Sequence, residues 1–468
     1  MTQLAVRPPL ATRPRAILTV LSLASFMASL DLFIVNVAFD QIGASFRGSS
    51  IGDVSWVLNA YAILYAALLV PLGRLADKVG RKRTFLLGLA VFTLASVLCA
   101  VAPGLWWLVA FRVLQAAGAA ALTPTSLGLL LAAVPAGKRL AYVRIWSAVA
   151  GLAAAAGPVF GGLLVAASWR WVFLVNLPIG ILALIAAQRT VPDSRDTAVS
   201  RIPDVVGSAL LTIGIGALAL GIVEGGDWGW GSGRTLTSFL VAALLVGWFV
   251  WRAEHHPVPV VDPALYRVRT FASANVAMLM FGAGLSGYLL LVVLWLQNVW
   301  HWSTITTGFA VAPGPAAVPV VTLIAQRLAQ RTPAGRLALI GCAAFAAGAV
   351  LTLALVGPHG SSYARELLPG QLLSGIGIGL ALPTLLSSAT HDLPAHRRST
   401  GSGVINMARQ IGLVLGVSVV VALVGTPHSY ASAHSAFVHG WWVMAGVLVV
   451  AAIACLGMPI RSVRNERN

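Results

Sequence analysis

The segment Gly73-Arg-Leu-Ala-Asp-Lys-Val-Gly-Arg-Lys-Arg83 contains five basic residues and one acid, and it separates two long apolar runs. The first run covers about residues 54–73 and the second about residues 84–103. Each is about 20 residues long, the length that a helix needs to cross the hydrocarbon core of a membrane. A short basic segment between two such runs predicts a pair of membrane-spanning helices.

The composition of the chain also indicates a membrane protein. Of its 468 residues, 58% are hydrophobic and 10% are charged, and the mean hydropathy is +0.87. Soluble domains are about one quarter charged, so the composition argues against a soluble enzyme. Cys99, Cys342 and Cys455 all lie in apolar runs, which argues against a disulfide framework and against a bound metal.

Similar apolar runs recur along the whole sequence and are separated by short connections. The longest connection, about residues 252–270, is too short for a soluble domain. We therefore predict fourteen membrane-spanning helices, at about residues 17–39, 54–73, 84–103, 106–134, 142–167, 171–188, 205–223, 236–251, 271–299, 304–326, 337–356, 366–390, 401–424 and 440–458.

The basic residues are distributed unevenly between the two sides of these helices. Of 31 Lys and Arg residues, 25 fall on the side that holds both termini. Cytoplasmic segments are enriched in Lys and Arg, so both termini are expected in the cytoplasm of a cell-membrane protein. Because the net charge of +17 is spread over many short segments, nucleic acid is not an expected partner. On the side of the membrane away from the termini, the four basic residues are Arg47, Arg170, Arg234 and Arg365.

A second basic segment resembles a diverged copy of the first. It reads Leu328-Ala-Gln-Arg331, then Gly335-Arg336, and Leu328 follows Leu75 by 253 residues. Chance similarity between two basic loops is the alternative explanation. A repeat predicts a six-helix bundle in residues 1–190, two linking helices with a cytoplasmic loop in 191–270, and a second six-helix bundle in 271–468. Transporters commonly place their substrate site between two such halves.

The segment Gly73–Arg83 resembles motif A of the major facilitator superfamily, G-x-L-a-D-r-x-G-r-k. The resemblance implies a conformational switch that latches the cytoplasmic ends of helices, formed by Gly73, Asp77, Gly80, Arg81 and Lys82. The two glycines permit tight backbone turns, and Asp77 is placed to pair with an Arg or to face a helix N-terminus. The alternative is an ordinary basic cytoplasmic loop.

In the fifth predicted span, Gly157-Pro158-Val-Phe-Gly161-Gly162 resembles motif C, the antiporter signature G-P-x-x-G-G. The proline is expected to bend the helix, and the glycines are expected to let neighbouring helices approach closely. Ala153 replaces the small glycine that usually precedes the motif. The alternative is ordinary packing by small residues.

In the fourth span, Arg112-Val-Leu-Gln115-Ala-Ala-Gly118 resembles motif B, R-x-x-Q-G-x-G, with Ala116 in place of the first glycine. Arg112 and Gln115 are three residues apart and share a helix face. An arginine within a span usually faces an interior cavity or a partner. The alternative is an arginine that extends to the membrane interface.

The first span contains Leu30-Asp31-Leu-Phe-Ile-Val-Asn36-Val-Ala, which resembles the first-helix motif of the fourteen-helix branch, L-D-x-T-x-V-N-V-A. Phe33 stands in place of Thr, and Phe39-Asp40 follows where the motif usually ends in Leu-Pro. Asp31 is the one carboxylate well inside a predicted span, which makes it a candidate for proton coupling. Asp31 and Arg112 lie at similar depths in their spans, so Asp31 is expected to bind the proton and, when ionised, to pair with Arg112 or with a cationic substrate. The alternative is a purely structural pair with an arginine.

Three further stretches fit the same branch. One is Trp169-Arg-Trp-Val-Phe-Leu-Val-Asn176-Leu-Pro178-Ile-Gly180, and another is the N-x-x-R-Q-x-G stretch in span 13. The latter places Asn406, Arg409 and Gln410 on one helix face. Glu224 and Asp227 end span 7, where Glu224 is a possible outer acid and a solvated rim is the alternative interpretation.

The sequence is thus identified as a member of the drug:proton antiporter family with fourteen transmembrane helices. The resemblance implies an all-α integral membrane protein with the major facilitator fold. It also implies proton-coupled export of small hydrophobic or amphipathic compounds by alternating access. Asp31, Asn36, Arg112, Gln115, Asn406, Arg409 and Gln410 are the candidate coupling and cavity residues.

No cofactor is expected beyond the proton gradient, and a monomer in the lipid bilayer is expected. The sequence has no phosphate-binding G-x-x-x-x-G-K-[ST] motif, which argues against direct ATP drive. A proton-linked importer or facilitator would share motif A but would not need motif C. A membrane-bound enzyme or receptor would need catalytic groups or an extramembrane domain, and the sequence shows neither.

Overall fold

The computed structural model describes residues 14–135, 138–195, 204–357, 362–394, 397–425 and 430–459. Within these residues the chain is helical, without β-strands, and thirteen helices are long and apolar enough to cross a membrane. A fourteenth helix has 29 residues, and its described apolar part is Ala156–Ala167. The predicted all-α fold with fourteen helices is therefore confirmed. The two terminal segments, whose side of the membrane the charge distribution predicts, lie outside the described residues.

Two bundles of six spans are separated by two additional helices. The first bundle contains α1 (Pro14–Val37), α2 (Phe39–Ser45), α3 (Ile51–Val79), α4 (Arg81–Ala100), α5 (Leu105–Ala133), α6 (Arg139–Ala167), α7 (Trp171–Leu174) and α8 (Asn176–Thr190). The additional pair is α9 (Val205–Val223) and α11 (Gly233–His255), joined through α10 (Gly225–Trp228). The second bundle contains α12 (Arg269–Asn298), α13 (Thr304–Val311), α14 (Pro313–Leu328), α15 (Ala334–Leu355), α16 (Tyr363–Glu366), α17 (Leu368–His391), α18 (Arg398–Val424) and α19 (Tyr430–Ala454).

The two bundles share a packing plan that depends on small residues. In the first bundle α4 packs on α5, where Gly118 lies against the backbone of Phe92. In the second bundle α15 packs on α17, where Gly377 lies against the backbone of Phe345. Because a side chain at either glycine would collide with the backbone of the neighbouring helix, these positions fix the close approach of each helix pair.

The halves meet along two helix contacts. Helix α3 packs against α18, and α6 packs against α13 and α14. Helix α9 lies beside the first of these contacts, against both α3 and α18. The additional pair is held together at one end by Asp204, whose carboxylate accepts hydrogen bonds from Arg252 Nε at 2.9 and 3.0 Å.

The connection predicted at Gly73–Arg83 is much shorter than expected. Helix α3 continues to Val79 and α4 begins at Arg81, so Gly80 alone separates them. Charged residues end the membrane-spanning part of a helix but do not end the helix itself, which explains the error. Gly80 has φ = 127°, a conformation that favours glycine. We call the end of the bundle that carries Gly80 the basic end, and the other end the opposite end.

Candidate functional site: a buried ion pair beside a central cavity

The predicted coupling residue Asp31 lies in the interior of the first bundle. Its side chain, on α1, is fully buried, and Arg112 of α5 is 1% exposed. The Asp31 carboxylate accepts a hydrogen bond from Arg112 Nη1, so the two residues form an ion pair. A charge in a membrane interior is costly unless it is paired. The structure thus contains the ion pair that was expected between these two residues.

Uncharged side chains complete the surroundings of this ion pair. Gln115 Nε2 donates to Asp31 Oδ1 at 2.9 Å and to Ser96 Oγ at 2.8 Å, while Gln115 Oε1 accepts from Arg112 Nη1 at 2.7 Å. Asn176 Nδ2 also donates to Asp31 Oδ1, at 3.2 Å. These donors stabilise the ionised carboxylate, which is the condition under which a buried ion pair can persist.

Arg112 also contacts α3, the helix that faces the second half. Its Nε donates to Val57 O at 3.0 Å, and its guanidinium carbon lies 4.0 Å from the centre of the Tyr61 ring. The Tyr61 ring stacks on that of Tyr65 one turn away, with centroids 6.0 Å apart. The ion pair is therefore in physical contact with the helix that forms the boundary between the two halves.

A cavity lies between the halves, next to the ion pair. Its walls are mostly apolar and come from α1, α3 and α5 on one side and from α12 and α18 on the other. The lining residues include Phe33, Asn36, Leu58, Asn59, Tyr61, Arg112, Leu285, Ser286, Leu413 and Val417. The predicted residue Asn36 lines this cavity, although its amide also donates to Leu32 O of its own helix at 3.1 Å. An apolar cavity with a few polar groups is a typical site for a small ligand.

The halves touch each other at the opposite end. Gln297 Nε2 of α12 donates to Val37 O of α1 at 3.3 Å, and Asn298 hydrogen-bonds to Asp40 of α2. Nearer the cavity, Asn59 Nδ2 donates to Ser418 Oγ at 3.1 Å. The structure therefore represents a state in which the first and second halves are joined at the opposite end.

The motif C residues lie at two helix contacts. A methyl group added at Gly157 would meet Phe33 Cβ of α1 at 2.7 Å, and one added at Gly161 would meet Ile34 O at 3.0 Å. On another face of α6, a methyl group at Gly162 would meet Thr304 O of the second half at 2.5 Å. The carbonyl of Pro158 also lies against this second-half helix, at Gly308. The prediction of close helix approach is confirmed, and the same stretch contacts both halves.

The motif A residues are arranged around the break between α3 and α4. Arg81 Nε donates to Asp77 Oδ1 at 2.7 Å, as the predicted pairing of Asp77 requires. Arg81 N donates to Ser194 O at 2.9 Å, and Lys82 Nζ donates to Gln188 O at 2.9 Å. The last turn of α8 and the segment that follows it are thereby attached to the start of α4.

Gly73 does not form the tight turn that its sequence position suggested. It lies within α3, where a methyl group would meet Pro124 Cβ of α5 at 3.2 Å. Its role in the structure is to allow the two helices to pack closely. The turn itself is made by Gly80 alone.

The three candidates in α18 have different surroundings. Asn406 donates to Ser402 O of its own helix at 2.9 Å. Gln410 is fully buried, and both polar atoms of its amide lack a hydrogen-bond partner among the described residues. Arg409 is partly exposed, and its buried Nε also lacks a partner in the described part of the chain. None of the three belongs to the Asp31 network.

Glu224 caps the end of α9, at the opposite end of the bundle. It is partly buried, and Gly52 in the first turn of α3 packs next to its carboxylate. Burial raises the pKa of Glu224, and the nearby carboxylates of Asp53 and Asp227 raise it further. The structure places Glu224 at a rim, as one of the two sequence interpretations had it, and not in the Asp31 network.

Sequence analysis did not identify Ser96, Tyr61 or Asn176 as site residues. Asn176 was noticed only as part of a longer stretch, and Ser96 lies in an apolar run without any motif. Each becomes important because its helix brings it to Asp31 or Arg112 in space. A single buried Ser or Asn in a membrane helix is a weak signal on its own.

Two helical bundles around a central cavity, with a buried ion pair in one bundle, define a membrane transporter. The chain belongs to the Major Facilitator Superfamily, whose family model matches residues 21–417. A solved structure of a POT family transporter in complex with 5-aminolevulinic acid has the same fold. It aligns with a TM-score of 0.69 at 15% identity, over 94% of this chain and 95% of that one.

Several similar proteins are named for drug resistance or export. The multidrug resistance protein Stp of Mycobacterium tuberculosis is 35% identical over 85% of this chain and 73% of its own length. The methylenomycin A resistance protein of Bacillus subtilis is 31% identical over 90% of each chain. The probable actinorhodin transporter of Streptomyces coelicolor is 33% identical over 90% of this chain and 74% of its own length.

Proposed function

We propose that this protein exports small hydrophobic or amphipathic compounds from the cell in exchange for protons. The names of its relatives support drug or antibiotic export, and the largely apolar cavity between the halves fits such compounds. The observation that carries proton coupling is the buried carboxylate of Asp31, paired with Arg112 beside that cavity.

The proposed coupling follows from the electrostatics of the ion pair. When ionised, Asp31 attracts Arg112 and the amide donors of Gln115 and Asn176. Protonation removes most of that attraction, since a neutral carboxyl binds a guanidinium much more weakly. Arg112 is then held less tightly, so it can move relative to Tyr61 and the rest of α3, which face the other half. If protons can reach Asp31 from only one side of the membrane at a time, proton entry becomes linked to export of the compound.

We place the basic end in the cytoplasm of the cell membrane, because Lys and Arg are enriched in cytoplasmic segments. The joined opposite end then faces outward, and both termini lie in the cytoplasm. Since both walls of the cavity come from one chain, we propose that a monomer is the working unit.

The experiment is transport by everted membrane vesicles, in which outward export appears as uptake. The probes cover three charge classes, with ethidium as a cation, 1-naphthamide as a neutral compound and 1-naphthoate as an anion. We expect uptake of at least one probe that requires an acid-inside pH gradient and stops when a protonophore is added. The proposal would be contradicted if no probe were transported, or if the rate of transport did not depend on the pH gradient.

The main alternative is a proton-linked importer. The same vesicles distinguish the two functions, because an importer would accumulate its compound in right-side-out vesicles under an inward proton gradient. The motif C stretch, which contacts both halves, favours export through its resemblance to antiporters.

A further inference from the structure

The second half contains a partly exposed arginine inside a membrane span, and the spans of that half contain no acidic residue to neutralise its charge. Arg409 lies eleven residues after the first residue of α18, well inside the span. Between Asp262 and the end of the chain only Glu366, Asp392 and Glu466 are acidic, and none of these lies within a membrane-spanning stretch. Arg409 therefore has no acidic partner in the spans of its own half.

The other half does not provide a counter-ion either. The acid in its interior, Asp31, is already paired with Arg112. Tyr65 of α3 interacts electrostatically with Arg409 across the boundary, and its hydroxyl donates to Thr123 Oγ1 at 2.9 Å. A neutral phenol does not compensate a full positive charge. Since an uncompensated cation is costly in a membrane interior, this position suits an external anion.

Arg409 is placed to reach a compound in the cavity. It precedes the lining residues Leu413 and Val417 by one and two helical turns, so all three share a face of α18. Tyr65 likewise follows the lining residue Tyr61 by one turn of α3. Arg409 and Tyr65 thus extend the two facing walls of the cavity toward the basic end.

Two groups that line the cavity also lack partners. The Tyr61 hydroxyl and Asn59 Oδ1 are buried without a hydrogen bond to any described residue, and both residues line the cavity. A buried polar group without a partner is costly, so a bound compound can supply what is missing. Together these atoms offer a cation, a hydroxyl and an amide oxygen along a mostly apolar wall.

We infer that Arg409 binds an acidic group of the transported compound, a carboxylate or an ionised phenol, while its apolar body lies along the cavity wall. The inference rests on the proposed export function and adds the charge class of the substrate. A planar guanidinium can bind a carboxylate through two parallel hydrogen bonds. A cationic compound at the same position would add a second positive charge beside Arg409, which disfavours it.

The test is equilibrium binding to the full chain in nanodiscs, with two acids and their uncharged amides. The probes are 1-naphthoate with 1-naphthamide and anthracene-9-carboxylate with its amide, at a pH where the acids are ionised. We expect each acid to bind about ten-fold more tightly than its amide, the ratio that corresponds to about 1.4 kcal/mol. In Arg409→Gln the affinity for the acid should fall to that for the amide, with the amide affinity unchanged.

Two further variants control this result. Arg409→Lys keeps the charge and should retain part of the preference for the acid. Arg170→Gln removes an exposed arginine at the opposite end and should leave the preference unchanged. The inference is overturned if the wild type does not bind the acids or shows no preference for them. It is also overturned if Arg409→Gln keeps the preference, or weakens acid and amide equally.

Binding in nanodiscs needs no proton gradient, so its outcome is independent of coupling. If the acid preference depends on Arg409 but no probe is transported in vesicles, the export proposal fails and the binding site stands. If a probe is exported but Arg409→Gln leaves the acid preference intact, the export proposal stands and the acid site fails.

Discussion

The two halves of the molecule share a packing plan, and each carries an arginine inside a membrane span, but the surroundings of the two arginines differ. In the first half Arg112 is held by Asp31, Gln115 and Val57 O, within a fully buried network. In the second half Arg409 has a buried Nε without a partner among the described residues, and no acid lies within the spans around it. The charge of Arg112 is compensated within the protein, whereas Arg409 is available to a ligand.

This difference suggests that the two arginines have different functions. A closed ion pair can respond to a proton, since protonation of its acid removes the attraction that holds it. An unpaired cation can respond to a ligand, since binding of an anion supplies the missing charge. The cavity lies between these two positions, with Tyr61 and Tyr65 of α3 between the two arginines.

The largest expected effect comes from removing each arginine in turn. Arg112→Met leaves the Asp31 carboxylate buried without its cation and should lower the free energy of unfolding by about 3–5 kcal/mol. Arg409→Met removes an uncompensated charge and should change it by less than about 1 kcal/mol, or raise it. Thermal unfolding of the purified variants in the same detergent measures both.

The double variant Asp31→Asn with Arg112→Met is the control for that comparison. It removes both charges and should recover most of the stability lost in Arg112→Met, which a double-mutant cycle quantifies. Equal losses for Arg112→Met and Arg409→Met would show that the two arginines are not in different electrostatic situations.

The switch segment offers a second comparison between the halves. Asp77→Asn removes the acid that binds Arg81 at the break between α3 and α4. We expect transport to fall by roughly five- to ten-fold, the scale of a typical conformational coupling energy. The amount of protein in the membrane, measured by immunoblot, should stay near normal. In the diverged copy of this segment, residues 328–336, Arg331 is exposed and has no acid nearby in the sequence. The variant Arg331→Gln should therefore transport at the wild-type rate.

The contact between Asp40 and Asn298 predicts a smaller, pH-dependent effect where the halves join. Burial raises the pKa of Asp40 to about 6, although the hydrogen bond with Asn298 lowers it. When the opposite end opens, hydration should return the pKa toward 3.8. Proton binding therefore favours the joined state, and this contribution is lost as the pH rises from about 4 to about 6.

Spin labels on the two halves can detect this opening. Arg47→Cys and Ile305→Cys place labels on exposed positions at the opposite end, one on each half. The ratio of long to short distances should rise by up to about fifty-fold between pH 4 and pH 7, and change little at higher pH. Asp40→Asn should abolish the change. A ratio that responds equally in the variant would assign the titration to another group.

Much of this arrangement could be predicted from the sequence because it depends on local signals. Apolar length identified the spans, and a lone acid and a lone arginine within spans identified Asp31 and Arg112. The pair itself became a prediction only through their similar depth in the membrane. The partners Ser96 and Asn176 could not be found in this way, because they are uncharged and reach Asp31 only through the packing of α4 and the start of α8.

Gly73 shows where a local signal misleads. Glycine next to charged residues usually indicates a turn, yet here α3 continues for six residues beyond it. The glycine is required by a contact with Pro124 of another helix, which no local pattern reveals. The different environments of Arg112 and Arg409 were hidden for the same reason, since they depend on which side chains face each other across helices.

The central claim is that protonation of Asp31 couples proton entry to export, and one flux measurement tests it directly. Everted vesicles with an imposed acid-inside pH gradient are placed in a medium that contains whichever of the three probes the wild type concentrates. Asp31→Asn resembles the protonated form permanently and cannot cycle, so it should fail to concentrate the probe against its gradient. Asp53→Asn, which changes a capping acid of α3 outside the network, should concentrate it as the wild type does. If Asp31→Asn still concentrates the probe, Asp31 is not the coupling site, and Glu224 becomes the next candidate.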